Sequence, residues 1–302
     1  MSIVPVVAIV GATASGKSDL ALSLAERLGG EIVNADAMQL YRGMDIGTAK
    51  LPVEARRGIT HHQLDVLDVP EEASVAAYQR EARLDLAGIR SRRKQPILVG
   101  GSGLYVRAAL DHLEIPPTDP AVRAQLQGEL AVEGIEAMYT RLSRADPLAA
   151  KAIQPKNERR IIRALEVIAL TGRRFSATLP TREYELATIT IGLRVPRPDL
   201  DERIAARVHQ MWEAGLLEEV RLLDVAGLRA GRTARKALGY RQAMAHLDGE
   251  LTPEQAIEDT INSTRRFARR QESWFRPDPR IQWLPYDDSQ LTERALDIIA
   301  SA

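Results

Sequence analysis

The sequence predicts an α/β protein: a P-loop NTPase-like core of parallel strands joined by crossover helices, with an all-helical domain inserted into it. Three observations carry this expectation. The apolar run Val6 to Val10 leads directly into Gly11-Ala12-Thr13-Ala14-Ser15-Gly16-Lys17-Ser18, which matches G-x-x-x-x-G-K-[ST] and precedes a helical pattern. Strand-like and helical runs then alternate through residue 115, as crossover connections in a parallel sheet require. At Ile115-Pro116-Pro117-Thr118-Asp119-Pro120 the alternation stops, since prolines so closely spaced cannot continue a helix, and helical periodicity alone follows to about residue 186. The expected division is 1–115 for the first part of the core, 116–186 for the helical insertion and 187–302 for the second part of the core.

Each element has a local cause. Glycines let the loop fold with its backbone N–H groups turned inward, and the helix beginning near Lys17 adds the positive end of its dipole, so the hollow grips a diphosphate or triphosphate. Lys17 reaches the outer phosphates and Ser18 offers a hydroxyl to Mg²⁺. Leu20, Leu24 and Leu28, with Ala21 and Ala25, form the apolar stripe of that helix. Glu31 to Asp36 reads as the second strand, which places Asp36 at the carboxyl edge where open α/β sheets hold ligands. Ser74 to Ile89 forms the next helix. Pro96 to Val99 forms a third strand that runs into Gly100-Gly101-Ser102-Gly103 with no carboxylate at its end, the place where many nucleotide hydrolases hold magnesium. Asp36 is therefore the carboxylate best placed for chemistry, as a general base or through a metal-bound water. Ala187 to Val195 rejoins the sheet, and the remainder reads as helical: Ile204, Val208, Met211 and Trp212 share a face, and a last long helix spans about Thr252 to Trp274.

Composition narrows the class. At 302 residues, folding buries roughly 70–75% of the unfolded chain's surface. Lys plus Arg and Asp plus Glu both number 41, so no global field draws the protein to nucleic acid or membranes. The absence of cysteine excludes disulfides, thiolate metal sites and thiol catalysis, and agrees with a reducing cytosol. Met1 to Val10 lacks the basic start of a signal peptide and no window approaches 18 uninterrupted apolar residues, so the expectation is a cytoplasmic protein, and no feature demands a dimer.

Charge is concentrated locally instead. In the last long helix Arg265 with Arg269, and Arg266 with Arg270, stand four apart, and Lys156, Arg159, Arg160 and Arg163 cluster similarly in the insertion. Nucleic-acid phosphate is the natural counterion for two such stripes, and ion pairing within the fold is the alternative. His61 and His62 lack metal-ligand spacing and read as structural. Of the three tryptophans only Trp274, beside the arginines, is placed to stack on a base.

Read in order, these motifs resemble the tRNA dimethylallyltransferase family, also called tRNA isopentenyltransferase. The resemblance rests on the phosphate loop, on Asn34-Ala35-Asp36-Ala37-Met38-Gln39-Leu40-Tyr41-Arg42-Gly43-Met44-Asp45-Ile46-Gly47-Thr48-Ala49-Lys50 and on His61-His62-Gln63-Leu64-Asp65. Val99 to Tyr105, Arg160 to Glu166, Leu238 to Gln242 and the terminal arginine-rich helix extend it from Val6 to Phe275. It implies transfer of a dimethylallyl group from dimethylallyl diphosphate to the exocyclic N6 amine of the adenosine immediately 3′ of the anticodon. The phosphate loop would hold the donor's diphosphate in place of ATP, with Asp36 as general base and with Lys17 and Ser18 as the diphosphate and Mg²⁺ contacts. Contacts to the tRNA anticodon stem-loop would correspond to Asp36, Ala37, Met38 and Gln39, to Ser102 and Arg123, to Arg159, Arg160, Ile161, Ile162 and Arg163, and to Tyr240 and Arg241. Departures from the family pattern are Ala12 for the usual Pro, Ala37 for a frequent Ser and Ser102 for a frequent Thr; only Ala37 removes a hydroxyl. Two rival readings share the loop. A small-molecule or nucleoside kinase would use Asp36 on a hydroxyl and need no RNA. A non-catalytic RNA-binding module would use the loop to sense nucleotide.

Overall fold

The computed structural model describes residues 4–178 and 182–301. Residues 1–3, 179–181 and 302 lie outside them, including the first residues of the Met1–Val10 segment and part of the 116–186 stretch.

Six strands form one parallel sheet in the order β3-β2-β4-β1-β5-β6. β1 (Val6–Gly11) is an unbroken apolar run because helices cover both faces of the sheet, and all six of its residues are buried. β2 (Gly30–Asn34), β3 (His61–His62), β4 (Gln95–Gly100), β5 (Thr188–Arg194) and β6 (Ile281–Pro285) complete it. β1 pairs with β4 on one side and β5 on the other, so the connections leave it in opposite directions and open a crevice at its carboxyl end. Two elements depart from expectation. The His61–His62 pair is a short edge strand beside β2, and residues 281–285 add a sixth strand where the sequence reads as helical. The two-residue β3 is too short for a period to emerge, and β6, though as long as β2, breaks alternation at Trp283-Leu284 and ends in proline, so pairing with a neighbouring strand defines both.

Helices α1 (Lys17–Leu28), α2 (Val75–Ser91) and α3 (Gly103–Leu110) follow the strands of the first part. Leu20, Ala21, Leu24 and Ala25 of α1 bury against Val7, Ile9, Ile32, Ile97 and Ile191, with each fully buried Leu or Ile contributing roughly 1.5–3 kcal/mol. α2 starts where Ser74 accepts the Ala77 N–H, worth about 1 kcal/mol. The chain divides into two compact units, Met1–Leu110 with Tyr184–Ala302, and Asp111–Glu183.

The second unit consists of α4 (Pro120–Ala145), α5 (Pro147–Ala152) and α6 (Glu158–Thr171). Leu126, Met138, Leu142, Ile161, Ile162 and Leu165 close its own core. Asp119, Asp146 and Asn157 cap the three helices with side-chain oxygens. Returning to the first unit, β5 is followed by α7 (Arg197–Glu213), α8 (Leu216–Val225), α9 (Tyr240–Leu247), α10 (Pro253–Phe275) and, after β6, α11 (Leu291–Ala300). α10 opens with a reciprocal Thr252–Gln255 capping box and Pro253 at its first turn. Ile204 and Val208 of α7 are buried as their periodicity predicts, while Met211 and Trp212 pack more loosely against a cluster with Leu216, Val220 and Tyr240. No helix among the described residues is long and apolar enough to cross a membrane.

Candidate active site

The loop Gly11 to Ser18 joins β1 to α1 at the carboxyl edge of the sheet. Gly16 caps α1 with φ of 89°, a conformation that L side chains resist, and no side chain caps the helix. The first N–H groups of α1 are free of a side-chain cap, as are those of α7, α8 and α11, whereas a side chain occupies those of α2, α4, α6 and α10. Ala12 is buried against Val195, Leu200, Ile204 and Ala268, with Ala14 at the margin of the same cluster. Apolar packing thus holds the back of the loop while its front stays open. Lys17 Nζ donates to the Ala12 carbonyl and lies 3.5 Å from Ser15 Oγ. Ser18 is exposed at the mouth.

Asp36 stands just past β2 in a turn that Asn34 builds. The Asn34 side chain accepts the Asp36 N–H at 2.9 Å and donates to the carbonyls of Asp36 and Gln63. Asp36 Oδ1 accepts the Met38 N–H at 2.9 Å, and Oδ2 has no hydrogen-bond partner among the described residues. One carboxylate oxygen fixes the side chain; the other is available. Burial lowers the Lys17 pKa to about 8, Arg207 adds to the fall, and Asp36 opposes it. Burial also lowers Arg207, against the pull of Asp36. Behind Asp36, Tyr105 is pushed up to about 12 by burial and by the nearby Tyr41 and Asp36, so it remains a neutral phenol. Tyr78, stacked obliquely on it at 4.7 Å, donates to the Asn34 carbonyl at 2.8 Å. An ammonium, a guanidinium and one carboxylate thus lie within electrostatic reach of one another, with the Tyr105 phenol also sensing the carboxylate.

Arg207 is a site residue that sequence reasoning missed. It sits on α7, whose Arg203 donates to the Ala14 carbonyl at 2.7 Å and lies over the Tyr286 ring. The two arginines are four residues apart and so share one side of the helix. That spacing, directly after the strand that pairs with β1, is the signal that could have found them. Arg207 makes no salt bridge among the described residues.

The other predicted positions separate into three groups. Ala37 and Ser102 meet, the Ala37 N–H donating to Ser102 Oγ at 3.4 Å, and Met38 is partly buried. Gln39 donates to the Thr48 carbonyl at 3.1 Å, which ties the Asp36 turn to the Met44–Lys50 loop. In the helical unit Arg159 and Arg160 are exposed, whereas Arg123 and Arg163 both bind the buried Glu166 at 2.9 Å. Ile161 and Ile162 are core residues of α6 and have no side-chain surface to offer a ligand. Tyr240 is likewise inaccessible: it is fully buried and donates to Glu219, whose carboxylate also receives the N–H groups of Asp45, Ile46 and Gly47. Burial and the Glu219 charge raise its phenol well above the ordinary range. The side chain of Tyr240 therefore locks the Met44–Lys50 loop, and neighbouring Arg241 is exposed beside Asp259. The long 34–50 motif is read largely as such internal bonds, with Lys50 Nζ buried against the Tyr41 carbonyl, Asp45 and Asp65. The α10 arginines divide too: the half-buried Arg265 faces Asp201, while Arg266, beside Asp259, and Arg269 and Arg270 are exposed.

An all-parallel sheet whose central strand delivers a glycine-bounded helix start, flanked by Lys17, Arg207 and Asp36, defines a P-loop protein. The IPP transferase family model matches residues 39–278. The tRNA dimethylallyltransferase of Thermobifida fusca (strain YX) is 58% identical over 299 residues, covering 97% of this chain and 94% of that protein. That of Streptomyces coelicolor is 57% identical over 297 residues, covering 97% and 95%. Among solved structures, the full-length tRNA isopentenylpyrophosphate transferase of Bacillus halodurans superposes with a TM-score of 0.72 at 39% identity, over 99% of this chain and 95% of that one. A eukaryotic dimethylallyltransferase acting on tRNA gives 0.84 at 27% identity, over 98% and 80%. The chain belongs to the tRNA dimethylallyltransferase (IPP transferase) family.

Proposed function

We propose that the protein transfers the dimethylallyl group of dimethylallyl diphosphate to the exocyclic N6 amine of the adenosine 3′ of the anticodon in tRNA, releasing diphosphate. The observation that carries this reading is the pairing of the Gly11–Ser18 loop and Lys17 with a half-free carboxylate, Asp36, in a chain more than half identical to tRNA dimethylallyltransferases.

The adenine amine is a poor nucleophile because its lone pair is delocalised into the ring. Its nitrogen attacks the allylic carbon as the carbon–oxygen bond to diphosphate breaks, and Asp36 Oδ2 takes the amine proton, worth roughly 10²–10⁴-fold in rate. Charge grows on the departing bridging oxygen. Lys17, Arg207 and the free N–H groups of α1 meet it in place, so no reorganisation is needed during the step. Flipping the base out of its stack is less costly in an anticodon loop than in a duplex.

The residues fit Mg²⁺ as an ion carried by the donor. Among the described residues no group of three His, Asp or Glu side chains could hold a metal alone, and Mg²⁺ commonly keeps waters and phosphate oxygens as its ligands. Ser18 and, through water, Asp36 would complete that shell, and the ion would neutralise diphosphate charge. Gly11 to Ser18 form the diphosphate site. Asp36 to Gln39, Ser102, Arg123, Arg159, Arg160, Arg163 and Arg241 are assigned to tRNA, with Arg159 and Arg160 offering the most accessible charge. In this reading the helical unit serves RNA and the enzyme acts as a cytoplasmic monomer.

Incubation with radiolabelled dimethylallyl diphosphate and unmodified tRNA tests the whole. Label entering RNA only when Mg²⁺ is present supports it; tight ATP binding with unlabelled RNA would instead favour a kinase.

A further inference from the structure

The amide of Gln271, on α10, joins two loops that lie far apart in sequence. Its Oε1 accepts the Thr13 N–H at 2.8 Å and its Nε2 donates to the Gly101 carbonyl at 3.0 Å. The side chain is only 4% exposed. Both halves of a buried amide are thus satisfied by backbone, one partner in the phosphate loop and the other in the turn after β4. The fit is close: a Cβ at Gly101 would come within 2.3 Å of Gln271 Nε2 and 3.1 Å of the Gly11 carbonyl.

Each partner leads to a reacting group. The Thr13 N–H belongs to the same peptide unit as the Ala12 carbonyl, and that carbonyl receives Lys17 Nζ. Because a peptide unit is planar, fixing its N–H fixes its carbonyl, and with it the resting place of the ammonium. On the other arm, Gly101 precedes Ser102, whose Oγ receives the Ala37 N–H next to Asp36. From these connections we infer that Gln271 is a positioning residue, a two-armed staple that sets the diphosphate loop and the Asp36 turn at a fixed separation. Its contribution to transfer passes through Lys17 and Asp36, and it rests on the transferase reading above. A staple of this kind matters because a reactant misplaced by about 1 Å can cost on the order of 10²-fold in rate.

Gln271→Leu and Gln271→Glu test it in the full-length protein. The Leu variant leaves the Thr13 N–H and the Gly101 carbonyl unpaired. The protonated Glu side chain reproduces both bonds, since its carbonyl accepts and its hydroxyl donates, while the ionised form repels Gly101 and the diphosphate. The probe is inorganic diphosphate with Mg²⁺, measured by calorimetry, alongside KM for dimethylallyl diphosphate, KM for tRNA and thermal melting. Expected for Leu is a diphosphate Kd and donor KM each raised at least about tenfold, with tRNA KM unchanged. Expected for Glu is a deficit, taken relative to wild type at the same pH, that shrinks as pH falls from about 8.5 to about 5.5. Diphosphate affinity equal to wild type in both folded variants, or a Glu deficit independent of pH, overturns the staple. Should Leu not fold, the Glu pH trend decides by itself. Failure of the wild type to label RNA would count against the transferase reading alone, because the diphosphate arm still decides the role of Gln271.

Discussion

In α6 of the helical unit and α10 of the core, arginines repeat at the same four-residue spacing, yet only part of each stripe is available. Arg163 binds Glu166 and Arg265 faces Asp201, whereas Arg159, Arg160, Arg266, Arg269 and Arg270 are exposed, Arg266 beside a partly exposed Asp259. The cations beside the Gly11–Ser18 loop are held the other way. Lys17 and Arg207 are drawn out of water beside one another, each lowered by burial, with Asp36 the main opposing charge. Exposed cations cost little and contribute weakly, screened by salt; crowded, desolvated cations are held at a cost that an arriving polyanion relieves. The first arrangement suits a long, soft ligand such as tRNA, the second a small, highly charged one.

Four measurements would break or sharpen that contrast. Asp36→Asn removes the proton acceptor but keeps an oxygen for the Met38 N–H, so single-turnover transfer should fall roughly 10²–10⁴-fold while tRNA affinity changes little. Equal rates for the two proteins would rule Asp36 out as base. Next in size is pH. The free Lys17 titrates near 8, below its ordinary 10.5, and a bound diphosphate restores the protonated form. Binding must therefore take up a proton, and inorganic diphosphate affinity should fall about tenfold per pH unit above about 8. Calorimetry in buffers of different ionisation enthalpy reads the uptake directly; no uptake near pH 8 would place Lys17 outside the contact.

Smaller effects belong to the arginine face. The double change Arg159→Glu with Arg160→Glu should weaken tRNA binding several-fold and reduce the slope of log affinity against log salt by about one to two, leaving donor KM alone. An unchanged salt slope would return these residues to a solvated surface. Smallest in functional terms is Tyr240→Phe, which removes one donor from the half-buried Glu219. It should cost about 1–3 kcal/mol in denaturant unfolding with tRNA Kd unaltered. A loss of tRNA affinity without loss of stability would restore Tyr240 as an RNA contact.

The difference between what could be read and what could not follows chain distance. The phosphate loop, the Asp36 turn and the proline break at 116–120 are legible because their causes lie within a few residues: glycine conformation, strand ends, proline geometry. Tyr240, Ile161 and Ile162 show the limit of motif matching. They fall inside matching segments, but burial converts them into structural parts. The edge strand β3 escapes notice because two residues carry no period, and β6 because Trp283-Leu284 breaks its alternation and proline ends it.

By itself, then, the sequence determined the P-loop core and the family, and it singled out Asp36 as the candidate carboxylate. Tertiary structure alone decided which arginines remain accessible, that Arg207 joins Lys17, and that Gln271 reaches Thr13 across 258 residues of chain and Gly101 across 170. The reason is physical: local backbone preferences act between neighbours in sequence, whereas desolvation, ion pairing and buried hydrogen bonds depend on which distant side chains packing brings together.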